Sequence, residues 1–280
     1  MGFLRRRKRK ITAVAYLTAP GEPHVDVPIW SFPEGLEIVS DTSPALWIEE
    51  SLAGQPWATV GALVPGGFEA YARVLHPAYR SPPRQFDTPE ATVSWAEVAA
   101  ITGRVMHPLV QYARISGTDD RSFPNEGPEG IWRPYDGDLP SEVADPLLPI
   151  LRGTTSAPER CWFCIWNGYG QLQALKNAGT HSLVRTPGRE YVLLRGAIEQ
   201  VTVFGVMEPF AVDGPSIWWP DDRAWCVATE IDLDSTYVGA SAECIAAILE
   251  DDRLEAFEAH IEDRVDIGAD TINPPPEVRG

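Results

Sequence analysis

Lysine is almost missing from this chain. Outside Lys8 and Lys10, only Lys176 is found in 280 residues, and arginine carries the remaining positive charge. The formal net charge is −17, although Arg5, Arg6, Arg7, Lys8, Arg9 and Lys10 place six positive charges at the very start. Beyond residue 10 there are 17 basic against 40 acidic side chains, a net −23. A body that acidic repels nucleic-acid phosphates and anionic lipid, which argues against direct binding of either by the folded part. The lysine deficit, together with abundant Ala and Pro, reads as the coding bias of a GC-rich genome rather than as chemistry. Residues 1–10 read as a flexible basic tail, either a solvated start or an electrostatic tether to anionic lipid or nucleic acid, the solvated start being favoured.

Cysteine is equally scarce. Cys161, Cys164, Cys226 and Cys244 each sit in an apolar stretch, so reduced buried thiols are expected rather than a disulfide framework. No apolar run approaches the roughly 20 residues needed for a membrane-spanning helix. "MGFLRRRKRKITAVAYLTAP" loosely imitates a signal peptide, but Thr12, Tyr16 and Thr18 weaken its apolar run and no small-x-small site precedes Pro20. Ile11–Leu17 reads better as a first strand, and the expected location is cytoplasmic. Nucleophile-elbow, Walker A, Rossmann, H-E-x-x-H and EF-hand patterns are all missing, as is any repeat at a fixed period. No cofactor, metal ligand or catalytic residue is assigned on these grounds.

What is present is an ordinary folded composition, 44% hydrophobic and 22% charged, punctuated by 26 prolines. "ITAVAYL", "VDVPIWSF", "LEIVS", "ALWIEESL" and "WATVGALV" read as short β-like runs between proline turns. Phe68, Tyr71, Ala72 and Leu75 have helical spacing and predict a helix near 67–76. Ser94 and Glu97 form a capping box and Gly103 a stop, predicting a helix over 95–103. Ser241 caps another over 242–250. Strand-like runs fill much of 161–234. These elements predict an α+β fold, largely antiparallel sheet with a few packed helices. They divide into a lobe at 11–115, a Pro/Gly/acid-rich connection at 116–160 whose "SEVADPLLPILR" is cut short by Pro146 and Pro149, a lobe at 161–263, and a disordered tail at 264–280.

The densest chemistry lies in "IWWPDDRAWCVATEIDLDSTYVG", residues 217–239. Pro220, Asp221 and Asp222 suit a turn between two hairpin arms. If the second arm stays extended, Cys226, Ala228, Glu230, Asp232 and Asp234 share one face, with neighbouring carboxylates about 7 Å apart. Such a row is a solvated strand face, a recognition surface or an oxygen-ligand site for a divalent ion. Trp218 and Trp219 are adjacent, so one of them is the expected exposed contact residue. The candidate binding set is therefore Trp218, Trp219, Asp221, Asp222, Arg223, Glu230, Asp232 and Asp234.

Two sharper patterns fail on context. Asp232, Asp234 and Thr236 match the D-x-D-x-T of haloacid dehalogenase-like phosphatases, but only 44 residues follow, without a lysine. The C-x-x-C of "RCWFCIWNGYG" has no matching second pair for zinc, and on a strand its cysteines point to opposite faces. Core packing is expected of both cysteines.

"WATVGALVPGGFEAYARVLHPAYR", "CWFCIWNGYG" and "WWPDDRAWCVATEIDLDSTYVG" together resemble an uncharacterised protein family of GC-rich bacteria. That resemblance spans most of 40–250 and implies a stand-alone cytoplasmic protein, with no functional residue carried over. The expected function is non-enzymatic protein binding, of adaptor or immunity type, with the acidic Trp-rich hairpin facing a basic protein partner. The alternative is a hydrolase using Glu230, Asp232 or Asp234, with or without a divalent metal.

Overall fold

Alternation along the 161–166 run sets the architecture. Cys161, Phe163 and Ile165 are buried in one core, while Trp162 and Cys164 are buried in another. A strand apolar on both faces belongs in the middle of a sheet covered on both sides. The computed structural model describes residues 35–80, 91–118, 127–169, 182–204 and 214–276, with the backbone of two strands nearer the start. Its strands are β1 (Val14–Tyr16), β2 (Asp26–Pro28), β3 (Glu37–Ile38), β4 (Ala70–Leu75), β5 (Ala78–Tyr79), β6 (Thr92–Val93) and β7 (Cys161–Trp166). They continue with β8 (Val184–Thr186), β9 (Arg189–Gly196), β10 (Ile217–Pro220), β11 (Cys226–Thr229), β12 (Ser235–Ala240) and β13 (Ala256–Ala259). The helices are α1 (Leu46–Leu52), α2 (Trp95–Thr102), α3 (Tyr112–Ser116), α4 (Ser141–Gly153) and α5 (Ala242–Leu249).

One sheet of nine strands organises the fold, in the order β13-β4-β12-β11-β10-β7-β9-β3, with β8 also paired to β9. All its pairings are antiparallel, and the class is α+β as expected. The two predicted lobes share this sheet, since β3 and β4 come from the first and β7 to β13 from the second. On one face α4 and α5 pack over Val74, Phe163, Trp218, Val227 and Val238. On the other, α1 and the turn at 60–62 cover Trp162, Leu193, Trp219 and Tyr237. A third cluster, built from α2, α3 and Leu75, closes the end of β4.

Several expectations give way here. The helix expected near 67–76 is β4: Tyr71 and Ala72 enter opposite cores, and both edges of the strand are paired. Burial on both faces erases the two-residue alternation, leaving an apolar run that mimics helical spacing. "ALWIEESL" holds a helix instead of a strand, with Ala45, Ile48 and Leu52 on its buried face, and "WATVGALV" holds a 3-10 turn. Pro146 and Pro149 do not shorten the 141–153 helix. Its Val143, Leu147 and Leu151 form a buried i, i+4, i+8 stripe, each burial contributing about 1.5–3 kcal/mol, a sum comparable to the cost of about 3 kcal/mol for each of the two interior prolines. The 264–280 tail is ordered through 276: Asp270 is buried and accepts from the Asn273 amide (2.9 Å) and binds His107 Nε2 (2.9 Å).

Other expectations hold. Ser94 Oγ accepts from the Glu97 amide at 3.1 Å and Gly103 ends α2 at φ 68°. Glu97 turns outward to Arg80, and the carboxylate of Glu255 takes the first free amides, those of Trp95 (2.6 Å) and Ala96 (2.8 Å). Ser241 Oγ caps α5 through the Cys244 amide at 3.2 Å. The four cysteines are free and buried, with Cys161 and Cys164 in opposite cores. Among the described residues no helix is long and apolar enough to cross a membrane.

Candidate functional site

The quoted hairpin forms, but its second arm ends early. β10 and β11 pair through Ile217–Ala228 and Trp218–Val227, and β11 stops at Thr229. Residues 230–234 are the turn into β12, closed by the Leu233 amide donating to the Glu230 carbonyl at 3.0 Å. The acidic row expected on one strand face is therefore wrapped around a turn, because Ser235 to Ala240 must fold back to pair with β11.

Neither tryptophan is exposed, which corrects the expected contact residue. Trp218 is 0% exposed and packs edge-on against Trp225 at 4.9 Å. Trp219 is 1% exposed and packs against Trp47 at 5.9 Å on the opposite face. At the Pro220 corner Asp221 pairs with Arg160 Nε and accepts from Trp162 Nε1, both at 3.2 Å. Asp222 accepts from Thr155 Oγ1 (2.8 Å), Ser156 Oγ and the Ser156 amide (both 2.7 Å), and the Ala224 amide (3.2 Å). Burial opposes ionisation of Asp222, but the bonds from Ser156 and Thr155 outweigh it and hold the carboxyl below its ordinary value. Arg223, at φ 55°, lays its guanidinium over Trp47 at 5.0 Å. Both aspartates of that end are internally satisfied, while Trp47 Nε1 and Trp218 Nε1 are buried without a partner among the described residues.

The acids of the other end are not all matched. Arg189 of β9 bridges Glu230 (2.8 Å) and Asp232 (2.7 Å) and lies over the Trp166 ring. Asp234 differs: its backbone carbonyl accepts from the His76 amide at 3.0 Å, and the one side chain among the described residues that donates to its carboxylate is Ser235 Oγ, at 3.4 Å. Among the described residues no cation pairs directly with it. Arg73, 4% exposed, stands behind Ser235 at 3.1 Å but spends its other bonds on the carbonyls of Val110 and Pro108. Burial raises the Asp234 carboxyl above its ordinary value, with Arg73 and Arg133 pulling the other way.

A second loop meets this turn. Gly137, at φ 75°, donates its amide to the Leu233 carbonyl at 3.0 Å, and a Cβ there would come within 2.6 Å of the Ile231 carbonyl oxygen. Only glycine allows so close an approach. It brings Arg133 and Asp136, themselves paired at 2.7 and 2.9 Å, to the same place. Desolvation by the surrounding protein pushes Asp136 up to about 6, against the pull of Arg133 and with added repulsion from Asp234.

Between the loops lies a cavity of about 320 Å³, walled by Arg133, Asp136, Asp232, Asp234 and Asp266, with Tyr112 beside them. A second cavity of about 260 Å³ adjoins it, mostly apolar, lined by Trp57, Leu63, Pro187, Tyr191 and Ile217. Asp232, Leu233, Val265 and Asp266 line both, so the two cavities adjoin as a double cleft with these residues between them. Trp57 is 77% exposed at its rim, next to Ala58 at φ 59°.

The structure thus brings Glu230, Asp232 and Asp234 to the cleft and leaves Trp218, Trp219, Asp221, Asp222 and Arg223 outside it. Sequence reading missed Arg133, Asp136 and Tyr112. The "YDGD" turn was the available signal, since aspartate before a left-handed glycine marks a loop held in a defined shape. No family model, curated protein or solved structure matches the chain.

Proposed function

We propose that the protein binds a small organic molecule in the double cleft, with an apolar portion in one cavity and a polar head in the other. The observation that supports this is the set of lining residues common to both cavities: one ligand of ordinary size would span Leu233 and touch carboxylates on one side and aromatic surface on the other. A concave, mostly apolar pocket with a few convergent polar groups is where ligands are held in most proteins. The fully buried Trp218 and Trp219 no longer support the hairpin as a protein-docking surface. Ligand-observed NMR screening of the full chain against a fragment library tests the proposal. Binders should compete with one another and lose binding in Leu233→Trp, whose larger indole takes up space where the two cavities adjoin. Hits unaffected by that variant would place the binding elsewhere and end the proposal.

A second reading, hydrolysis, draws on the unequal carboxyls. Asp136, raised to about 6, suits a proton donor near neutral pH, and Asp234 a partner beside it. The pair differs from the set expected from sequence, because Glu230 and Asp232 are tied to Arg189. Chromogenic glycoside and ester panels read it out: turnover that survives Asp136→Asn, or no turnover at all, excludes it.

A further inference from the structure

Five carboxylates and two guanidiniums line the cleft: Asp136, Glu230, Asp232, Asp234 and Asp266 against Arg133 and Arg189. Four of the five acids have a guanidinium at short range, Asp136 that of Arg133, Asp266 that of Arg264, and Glu230 and Asp232 the single one of Arg189 between them. Asp234 is the remaining one, and it faces the polar cavity. Beside it Tyr112 is 3% exposed, and its hydroxyl has no hydrogen-bond partner among the described residues. A buried polar group left unmatched in a folded protein costs stability, so the Tyr112 hydroxyl, beside a carboxylate with no direct cation among the described residues, points to a missing complement. Among the described residues no group of carboxylates, cysteines and histidines is arranged to hold a metal ion, which directs the reading toward an organic head.

We propose that the ligand head is a primary ammonium, bound by Asp234 and Tyr112, with its alkyl or aryl body lying over Leu233 into the apolar cavity. This rests on the double-cleft reading and names the chemical class it would accept. An ammonium has three donors and no acceptor, which matches a carboxylate and a hydroxyl oxygen and nothing that Arg133 offers. Asp234 in its anionic form then gains the direct counter-charge it lacks, while Asp136 stays paired to Arg133. The negative body raises the local concentration of such a cation. Trp57, exposed at the rim, adds an aromatic face to the body's path.

Isothermal titration of the full chain tests this with benzylamine, 2-phenylethylamine and n-octylamine, each beside its alcohol and its carboxylate analogue of equal chain length. The expected result is at least one amine binding about tenfold or more tightly than its alcohol, with the carboxylate weakest. Asp234→Asn should abolish that preference while the alcohol's affinity is kept. Tyr112→Phe should weaken the amine about threefold to tenfold. Alcohols or carboxylates binding as tightly as the amines, or no amine binding at all, overturns the proposal. If neutral analogues bind and Leu233→Trp blocks them, the cleft reading stands while the ammonium does not. If amines bind equally well to Leu233→Trp, the cleft itself is the wrong place.

Discussion

β11 has an acidic turn at each end, and the two behave in opposite ways. At the Pro220 end, Asp221 and Asp222 accept six hydrogen bonds from residues 155, 156, 160, 162 and 224, and the tryptophans around them are buried. At the other end, Glu230 and Asp232 close on Arg189, but Asp234 opens into a cavity with one weak partner. The same residue type in the same hairpin is a structural fastener on one side and an unmatched group on the other. What separates them is the supply of donors. The 153–160 segment presents hydroxyls and amides to Asp222, whereas the 131–138 loop brings Asp234 another acid, Asp136, already holding the loop's arginine.

The comparison predicts a graded set of outcomes. The largest belongs to Trp225→Ala, which deletes a fully buried indole stacked edge-on to Trp218 and bonded to the Leu151 carbonyl at 2.9 Å. Urea unfolding should show a loss of about 3–5 kcal/mol. A loss below about 1 kcal/mol would mean the corner is not the structural end.

Asp222→Ala comes next, at about 1–2 kcal/mol for the loss of a charged acceptor with four donors. Asp222 is held below the ordinary 3.8, so its contribution is present above that pH and fades as pH falls through the folded value. The variant's deficit should therefore shrink in acid. A deficit constant between pH 7 and pH 3 would contradict the hydrogen-bond account.

The smallest effect, of opposite sign, is expected for Asp234→Asn. Its carboxyl is held above 3.8, first by burial and against the pull of Arg73 and Arg133, with Asp136, Asp232, Tyr112, Tyr237 and Ser235 also around it. A raised value means the contribution is complete below 3.8 and is lost as pH rises through the folded value. The variant should thus be as stable as the parent or slightly more so at neutral pH, the advantage vanishing toward pH 3.5. Parallel urea titrations of both proteins measure it. Marked destabilisation at neutral pH would make Asp234 another fastener and dissolve the contrast between the two ends.

Helix ends and short strands were readable from the chain because their causes are local. Ser94 and Ser241 cap with their own hydroxyls, Gly103 takes a left-handed turn, and Cys161 and Cys164 fall on opposite faces by simple alternation. The acidic row was legible as residues and not as a shape. Whether β11 runs to Asp234 or stops at Thr229 depends on where β12 turns back, a pairing with no local signature.

The sequence by itself determined the α+β class, the strongly negative charge of the body, two of the helices and three acids of the cleft. Tertiary structure alone decided that β4 is a strand, that both tryptophans of "SIWW" are interior, and that Asp136 stands beside Asp234. The physical reason is range. Caps, turns and alternation act over three or four residues, whereas burial on both faces of a strand and the meeting of two loops through Gly137 depend on atoms about a hundred positions apart in the chain.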